Sequence, residues 1–173
     1  MSAIHVCPLS ALDTILKNSQ AVQMISLSGP GKTTETPAQI TNGHLKLKFN
    51  DINEPREGLI APASEHVRSI IEFAHSWDQT RPLVIHCWMG ISRSTAATAI
   101  VLHALLPNVE AELTAKTIRK KSPMATPNPL MIKHADGLLK LSGDLTRAIE
   151  KIGRGKNAFE GQPFSISLEE LNQ

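Results

Sequence analysis

The chain has 173 residues, 41% hydrophobic and 20% charged, a length and balance that suit one soluble globular domain. A net charge of +2, no Tyr and only 3% aromatic residues give neither the basic field of a nucleic-acid binder nor its base-stacking surface, and do not suggest a membrane-surface protein. No apolar run approaches the ~18 residues of a membrane span, and two cysteines are too few for a disulfide framework. With no secretory leader pattern at the N-terminus, a reducing, cytoplasmic setting is expected.

In chain order, Ala3 to Cys7 reads as a first strand ended by Pro8. Ser10 is the expected N-cap of a short helix from Ala11 to Asn18, with Leu12, Ile15 and Leu16 on one face. Val22 to Leu27 is a second strand, and strand–helix–strand at this spacing suggests a parallel βαβ unit. Cys7 is expected at the sheet edge as a small hydrophobe, with a redox partnership with Cys87 as the alternative. Ser28 to Pro37 is a Gly/Pro/Thr-rich loop. Its Gly31-Lys32 pair is not a phosphate-binding P-loop, because that motif needs Gly at position 26, which is Ser.

His44 to Phe49 alternates as a half-exposed strand and leads into a polar loop, Asn50 to Glu57. A helix begins at Pro62 or Ser64 and ends near Trp77, with Val67, Ile70, Ile71 and Ala74 as its buried stripe. Leu83-Val84-Ile85 is a central strand. Three further helices are predicted after the apolar helix that runs from Ser92 or Ser94 to Leu106: Glu110 to Lys121, Leu130 to Leu141 and Gly143 to Ile152. Residues 154–173, rich in Gly, Asn and Pro, read as a weakly ordered C-terminal tail after a unit spanning 1–153. The expected fold class is α/β: a central, mostly parallel sheet of three or four strands flanked by helices on both sides, in a single domain.

The chemistry concentrates in His86-Cys87-Trp88-Met89-Gly90-Ile91-Ser92-Arg93-Ser94, where a strand feeds a tight loop that opens a helix. Successive backbone N–H groups and a helix N-terminus make an anion cradle there. A cysteine at the start of such a loop has its thiolate stabilised, since helix N-termini and nearby cations lower thiol pKa values from ~8.5 to roughly 3.5–7.5. Arg93 adds a planar fork able to hold two phosphoryl oxygens. The plain alternative is a buried structural thiol in a strand-to-helix turn.

His86-Cys87-x-x-Gly90-x-x-Arg93-Ser94 resembles the signature loop of the cysteine-dependent protein tyrosine phosphatases, in particular their compact dual-specificity-like branch. The resemblance spans roughly Lys46 to Leu139. Met89 departs from it, since that branch usually carries Ala there. The resemblance implies that Cys87 attacks phosphorus to form a phosphocysteine. It implies that Arg93 and the N–H groups of Trp88, Met89, Gly90, Ile91 and Ser92 hold the phosphoryl oxygens, and that His86 orients the loop and helps keep the cysteine ionised. Ser94 would bond to the departing sulfur, and Asn128 would bond to the signature loop. A general acid is also required. Asp51, just after the strand ending at Phe49, matches the family's acid loop, with Glu54, Glu57 and Asp78 as other candidates. No cofactor and no metal are expected, as the seven His are scattered.

Three readings of function follow. The first is a phosphomonoester hydrolase acting on phosphorylated protein, as a tyrosine or dual-specificity phosphatase. The second is a phosphatase for a non-protein phosphoester such as a phosphoinositide, nucleotide or RNA end. The absence of charge at Trp88, Met89, Ile91 and Ser92 counts against highly charged headgroups. The third is a phosphoprotein-binding module without turnover, which the full set of catalytic groups disfavours. Phosphate-like anions should bind at the loop in every case.

Overall fold

A computed structural model describes residues 3–172. Five strands form one sheet: β1 (Ala3–Pro8), β2 (Gln23–Ser28), β3 (Gly43–Lys48), β4 (Leu83–Cys87) and β5 (Phe164–Ser167), in the order β3-β2-β4-β1-β5. The first four are parallel, and β5 runs antiparallel to β1. β4 is central and all five of its residues are buried, as its unbroken apolar character requires of a parallel strand covered on both faces. The register sets Pro8 of β1 and Leu27 of β2 beside Cys87, so the carboxyl ends of three strands meet at the cysteine. This is the edge at which α/β sheets place their sites.

Side chains alternate between the two faces with the period of two that a strand imposes. Cys7, Met24 and Val84 pack beneath α1 (Leu12–Ser19), with Leu12 and Leu16. Ile4, Val6, Ile25, Leu27, Leu83, Ile85 and Cys87 join the larger core formed with α2 (Ser64–Ser76), α3 (Arg93–Leu105), α4 (Ala111–Lys121), α5 (Pro129–Leu139) and α6 (Asp144–Ile152). In α3, Arg93 to His103 are all buried, and its small residues Ala96, Ala97 and Ala99 let it lie close against the sheet. α5 starts where Asn128 accepts from the N–H groups of Leu130 and Met131 and Pro129 takes the first helical position, a pairing that satisfies orphan donors and fixes φ in advance.

Three expectations need correction. Cys7 is not at the sheet edge: β1 lies between β4 and β5, and burial, with a smaller push from nearby Cys87, raises its thiol to about 12. Ser10 does not cap α1. A 3-10 turn over Leu9–Ala11 intervenes, and the Ser10 hydroxyl donates instead to Glu160 Oε2 at 2.8 Å. The weakly ordered tail over 154–173 is replaced by β5 and a 3-10 turn at Leu168–Leu171, and Ile166, Leu168 and Leu171 are buried in the main core. The alternation Phe164-Ser-Ile166-Ser-Leu168 carries that strand, but it is short and follows a Gly/Asn/Pro-rich stretch that masks it.

If the C-terminal segment is part of the core, Ile166→Ala should lower unfolding free energy by about 2–5 kcal/mol. Urea unfolding at equilibrium checks this; an unchanged midpoint would mean that the segment contributes nothing.

Candidate active site

Cys87 ends β4, and the loop Trp88–Ser92 carries the chain into α3 at Arg93. The loop turns so tightly because Gly90 takes φ +67°; a Cβ there would stand 2.6 Å from Pro8 N, so glycine is required by conformation and by space alike. The loop's carbonyl groups face outward onto donors from elsewhere. Leu9 N–H donates to Trp88 O at 3.1 Å, Gly161 N–H to Met89 O at 2.8 Å, Thr126 N–H to Ile91 O at 2.9 Å and Asn128 N–H to Ser92 O at 3.3 Å. The Thr95 hydroxyl adds a bond to Ile91 O at 2.6 Å. Four of the five loop carbonyls, those of Trp88, Met89, Ile91 and Ser92, are so occupied. Gly90 N–H donates to Cys87 Sγ at 3.2 Å, and Ser94 Oγ lies in hydrogen-bond contact with that sulfur at 3.2 Å.

Cys87 lies at the floor of a cavity of about 500 Å³, whose wall includes Asp51, Trp88, Ile91, Ser92 and Arg93. Arg93 is only 7% exposed. Its Nη1 donates to Phe49 O at 2.8 Å, while its Nε is buried and has no hydrogen-bond partner among the described residues. A buried guanidinium N–H with no hydrogen-bond partner at the cavity of a nucleophile fits an incoming phosphoryl oxygen, which would satisfy it with a charge-assisted bond.

Of the four candidate acids, Asp51 alone lines this cavity. Its Oδ1 accepts from the Ser92 hydroxyl at 2.7 Å and from Asn128 Nδ2 at 2.8 Å, and its Oδ2 lies 4.0 Å from Arg93 Nε. One oxygen is therefore held in place and the other is left for chemistry. The strand before it is anchored as well: Phe49 N–H donates to Ser28 O at 3.0 Å, and its ring stacks on His66 at 4.7 Å. Glu54 pairs with Arg56 on the surface, and Asp78 Oδ1 accepts from Thr80 N–H at 2.9 Å in an exposed turn. The Asn128 side chain departs from expectation. It reaches Asp51 and the Ile52 carbonyl, and only its backbone N–H bonds to the signature loop.

His86 faces the opposite side of the sheet from Cys87. Its Nε2 and Ser26 Oγ are 2.6 Å apart, Ser26 Oγ and His44 Nε2 are 2.7 Å apart, and His44 Nδ1 lies 2.8 Å from Thr36 Oγ1. Burial, reinforced by His44, lowers His86 to about 4 against a weaker opposing contact with the Cys87 backbone; burial and Lys46 lower His44 to about 4. His86 is thus neutral near pH 7, so a part in orienting the loop or in keeping the cysteine ionised would not come from a charge on its ring. Ser26 and His44 had no signal in the sequence. Their adjacency comes from the β2–β3 and β2–β4 registers, which set Ser26 beside His86 and Met24 beside His44.

No protein-family model matches the sequence, and no curated protein matches it. Solved structures do. A crystal structure of DUSP15 is 21% identical over 86% of this chain and 90% of its own, with a TM-score of 0.62. The human tyrosine phosphatase-like serine/threonine/tyrosine-interacting protein is 14% identical over 80% of this chain and 92% of its own, with a TM-score of 0.61. PTPMT1 in complex with PI(5)P is 15% identical over 79% and 87%, with a TM-score of 0.58. At such identities the likeness speaks to fold. Together with the loop described above, it shows that this chain has the fold of the cysteine-dependent tyrosine and dual-specificity phosphatases.

Proposed function

We propose that the chain hydrolyses phosphate monoesters through a phosphocysteine intermediate, acting as a tyrosine- or dual-specificity-type phosphatase on phosphorylated protein. The observation that carries this reading is the meeting in one cavity of Cys87, its sulfur hydrogen bonded to Gly90 N–H and Ser94 Oγ, with Arg93, whose buried Nε has no hydrogen-bond partner among the described residues.

In the first step the Cys87 thiolate attacks phosphorus in line, a P–S bond forms and the ester P–O bond breaks. The leaving oxygen takes a proton from Asp51. The phosphoryl oxygens are held by the loop N–H groups and by Arg93, donors already in place before charge moves. In the second step Asp51, now a carboxylate, takes a proton from water as that water attacks phosphorus. The P–S bond breaks, and the sulfur leaves as a thiolate facing the Ser94 hydroxyl and the Gly90 N–H. The water enters on the side of phosphorus that the leaving alcohol has vacated, in line with the P–S bond. Fold neighbours that include a PTP crystallised in its active form and the Yvh1 phosphatase domain support this reading. A non-protein phosphoester remains the second reading, favoured by Arg154 and Lys156 on the cavity wall and by the fold neighbour bound to PI(5)P.

Cys87→Ser should lower turnover of an aryl phosphate by orders of magnitude while vanadate or phosphate still binds; activity within tenfold of the original chain would refute the nucleophile assignment. Arg93→Lys keeps charge but loses the fork, the Phe49 carbonyl contact and the free Nε–H, so kcat should fall by about 10² or more. Near-normal kinetics would show that charge alone matters. Asp51→Asn should slow phosphotyrosine by about 10²–10⁴-fold but a nitrophenyl phosphate far less, because a stable leaving anion gains little from a proton. Equal slowing of both would make Asp51 a structural residue.

A further inference from the structure

A second cavity lies beside Trp88. At about 830 Å³ it is larger than the one that Asp51 lines, and Cys87, Trp88 and Arg93 belong to the walls of both. Most of its remaining wall comes from the start of α1 and from the loop between β2 and β3. No step at Cys87 uses it.

The walls are held in place. In the β2–β3 loop Lys32 N–H donates to Gly29 O at 3.3 Å and Ile40 N–H to Pro37 O at 2.9 Å. Ile40 is buried, Gln39 Nε2 donates to Leu16 O at 2.7 Å, and Thr36 Oγ1 lies 2.8 Å from His44 Nδ1. On the side of α1, Leu9 N–H donates to Trp88 O at 3.1 Å, which ties that wall to the signature loop.

The lining divides by chemistry. Leu9, Leu12, Leu27 and Pro37 give it an apolar surface, and the Trp88 indole, 55% exposed, adds an aromatic face. Asp13 and Glu35 stand on the same lining, and among the described residues neither makes an ion pair. Two cations share the lining. Arg93 is turned to the Phe49 carbonyl and towards Asp51. Lys32 pairs with neither carboxylate; its Nζ lies 5.7 Å from the centroid of the Trp88 ring, within reach of a cation–π attraction.

The chain thus lays its own cation on the Trp88 face and leaves two carboxylates around the same space unanswered. A matching guest has an aliphatic stem for the apolar wall and a cationic head for the ring and the carboxylates. Arginine and lysine side chains are built that way. Arginine suits the place better, because its flat guanidinium stacks on an indole and takes a carboxylate with two parallel bonds. An anionic guest would meet Asp13 and Glu35 as like charges. Cys87 and Trp88 are consecutive and line both cavities, so the guest can belong to the molecule whose phosphoryl group lies over Cys87. An extended peptide advances about 3.3 Å per residue, so one or two residues carry it past Trp88.

We propose that this cavity takes a basic side chain, arginine foremost, standing one or two residues from the phosphorylated side chain of a substrate protein, and that Lys32 holds the place until the substrate arrives. The proposal rests on the reading of the chain as a phosphatase for phosphorylated protein, but binding of the basic side chain does not depend on turnover.

The test is calorimetric titration of the full chain carrying Cys87→Ser. The probes are one phosphotyrosine peptide with glutamine at the two positions on either side, and versions with arginine, lysine or glutamate at each of these positions in turn. At one position or more, arginine should bind about fivefold more tightly than glutamine, the gain expected of a cation–π contact together with a surface ion pair. Lysine should gain less, and glutamate nothing. Asp13→Asn with Glu35→Gln should bring the arginine-to-glutamine ratio within about twofold of one. The charge-keeping exchange Asp13→Glu with Glu35→Asp should preserve most of it, which separates lost charge from a damaged fold. Lys32→Ala should raise the ratio, since the guest then displaces no like charge. Ratios near one at every position would overturn the proposal. So would tighter binding of a glutamate peptide, a ratio that the double amide change leaves intact, or a ratio that Lys32→Ala lowers. Turnover of an aryl phosphate by the unsubstituted chain is read separately: turnover with ratios near one refutes the basic-side-chain site alone, and an intact ratio without turnover refutes the phosphatase reading alone.

Discussion

The structure depends on turning the carbonyl groups of one short loop away from its own cavity. A loop can present N–H groups to an anion only if its carbonyls find donors elsewhere, because a buried polar group left without a partner costs about 1–3 kcal/mol. Here the donors come from Leu9 after β1, Thr95 in α3, Thr126 and Asn128 before α5, and Gly161 before β5. Much of the topology can be seen as bringing these segments to one place. β1 beside β4 delivers Leu9, and α5 against α3 delivers Asn128. The strap that leads into β5 delivers Gly161.

What was legible in the sequence was what is local. The strand–loop–helix around Cys87 is contiguous, its Gly90 and Arg93 stand at fixed offsets, and the alternation of β3 points straight at the loop that carries Asp51. What was not legible depends on register or on distant contacts. Ser26 and His44 acquire a role only when three parallel strands align. Asn128 reads equally well as a turn residue and as a partner of the signature loop. It does cap α5, while its amide also reaches Asp51, and no pattern in a single sequence distinguishes these. The segment 154–173 misleads because Gly155 and Gly161, which look like marks of loose chain, are there for close approach of backbone to backbone. A residue chosen for lack of bulk and one chosen for flexibility are the same letter.

The two histidines illustrate how the side of the sheet opposite the nucleophile still governs it. Ser26 has one hydroxyl proton and two imidazole nitrogens within 2.6 and 2.7 Å, so when both contacts are hydrogen bonds at least one ring donates to it. That ties the tautomer of His86, one residue from the nucleophile, to the tautomer of His44 on the outermost strand and, through His44, to Thr36 in the loop after β2. A buried chain of this kind fixes ring orientation more firmly than any single contact, because each member loses its partner if another rotates.

The strap also orders events in time. A ribosome delivers the cysteine well before it delivers Gly161, and chains fold as they emerge. Until the strap is synthesised, Met89 O lacks its donor and β1 lacks its neighbour β5. A partly made chain therefore cannot complete the wall of its cavity. Pairing between the two ends of the chain is among the longest loop closures the fold has to make, and closures of that kind slow folding. The cradle is thus tied to the last part of the chain to be made, and a chain that stops before Gly161 leaves the Met89 carbonyl of its anion site without that donor.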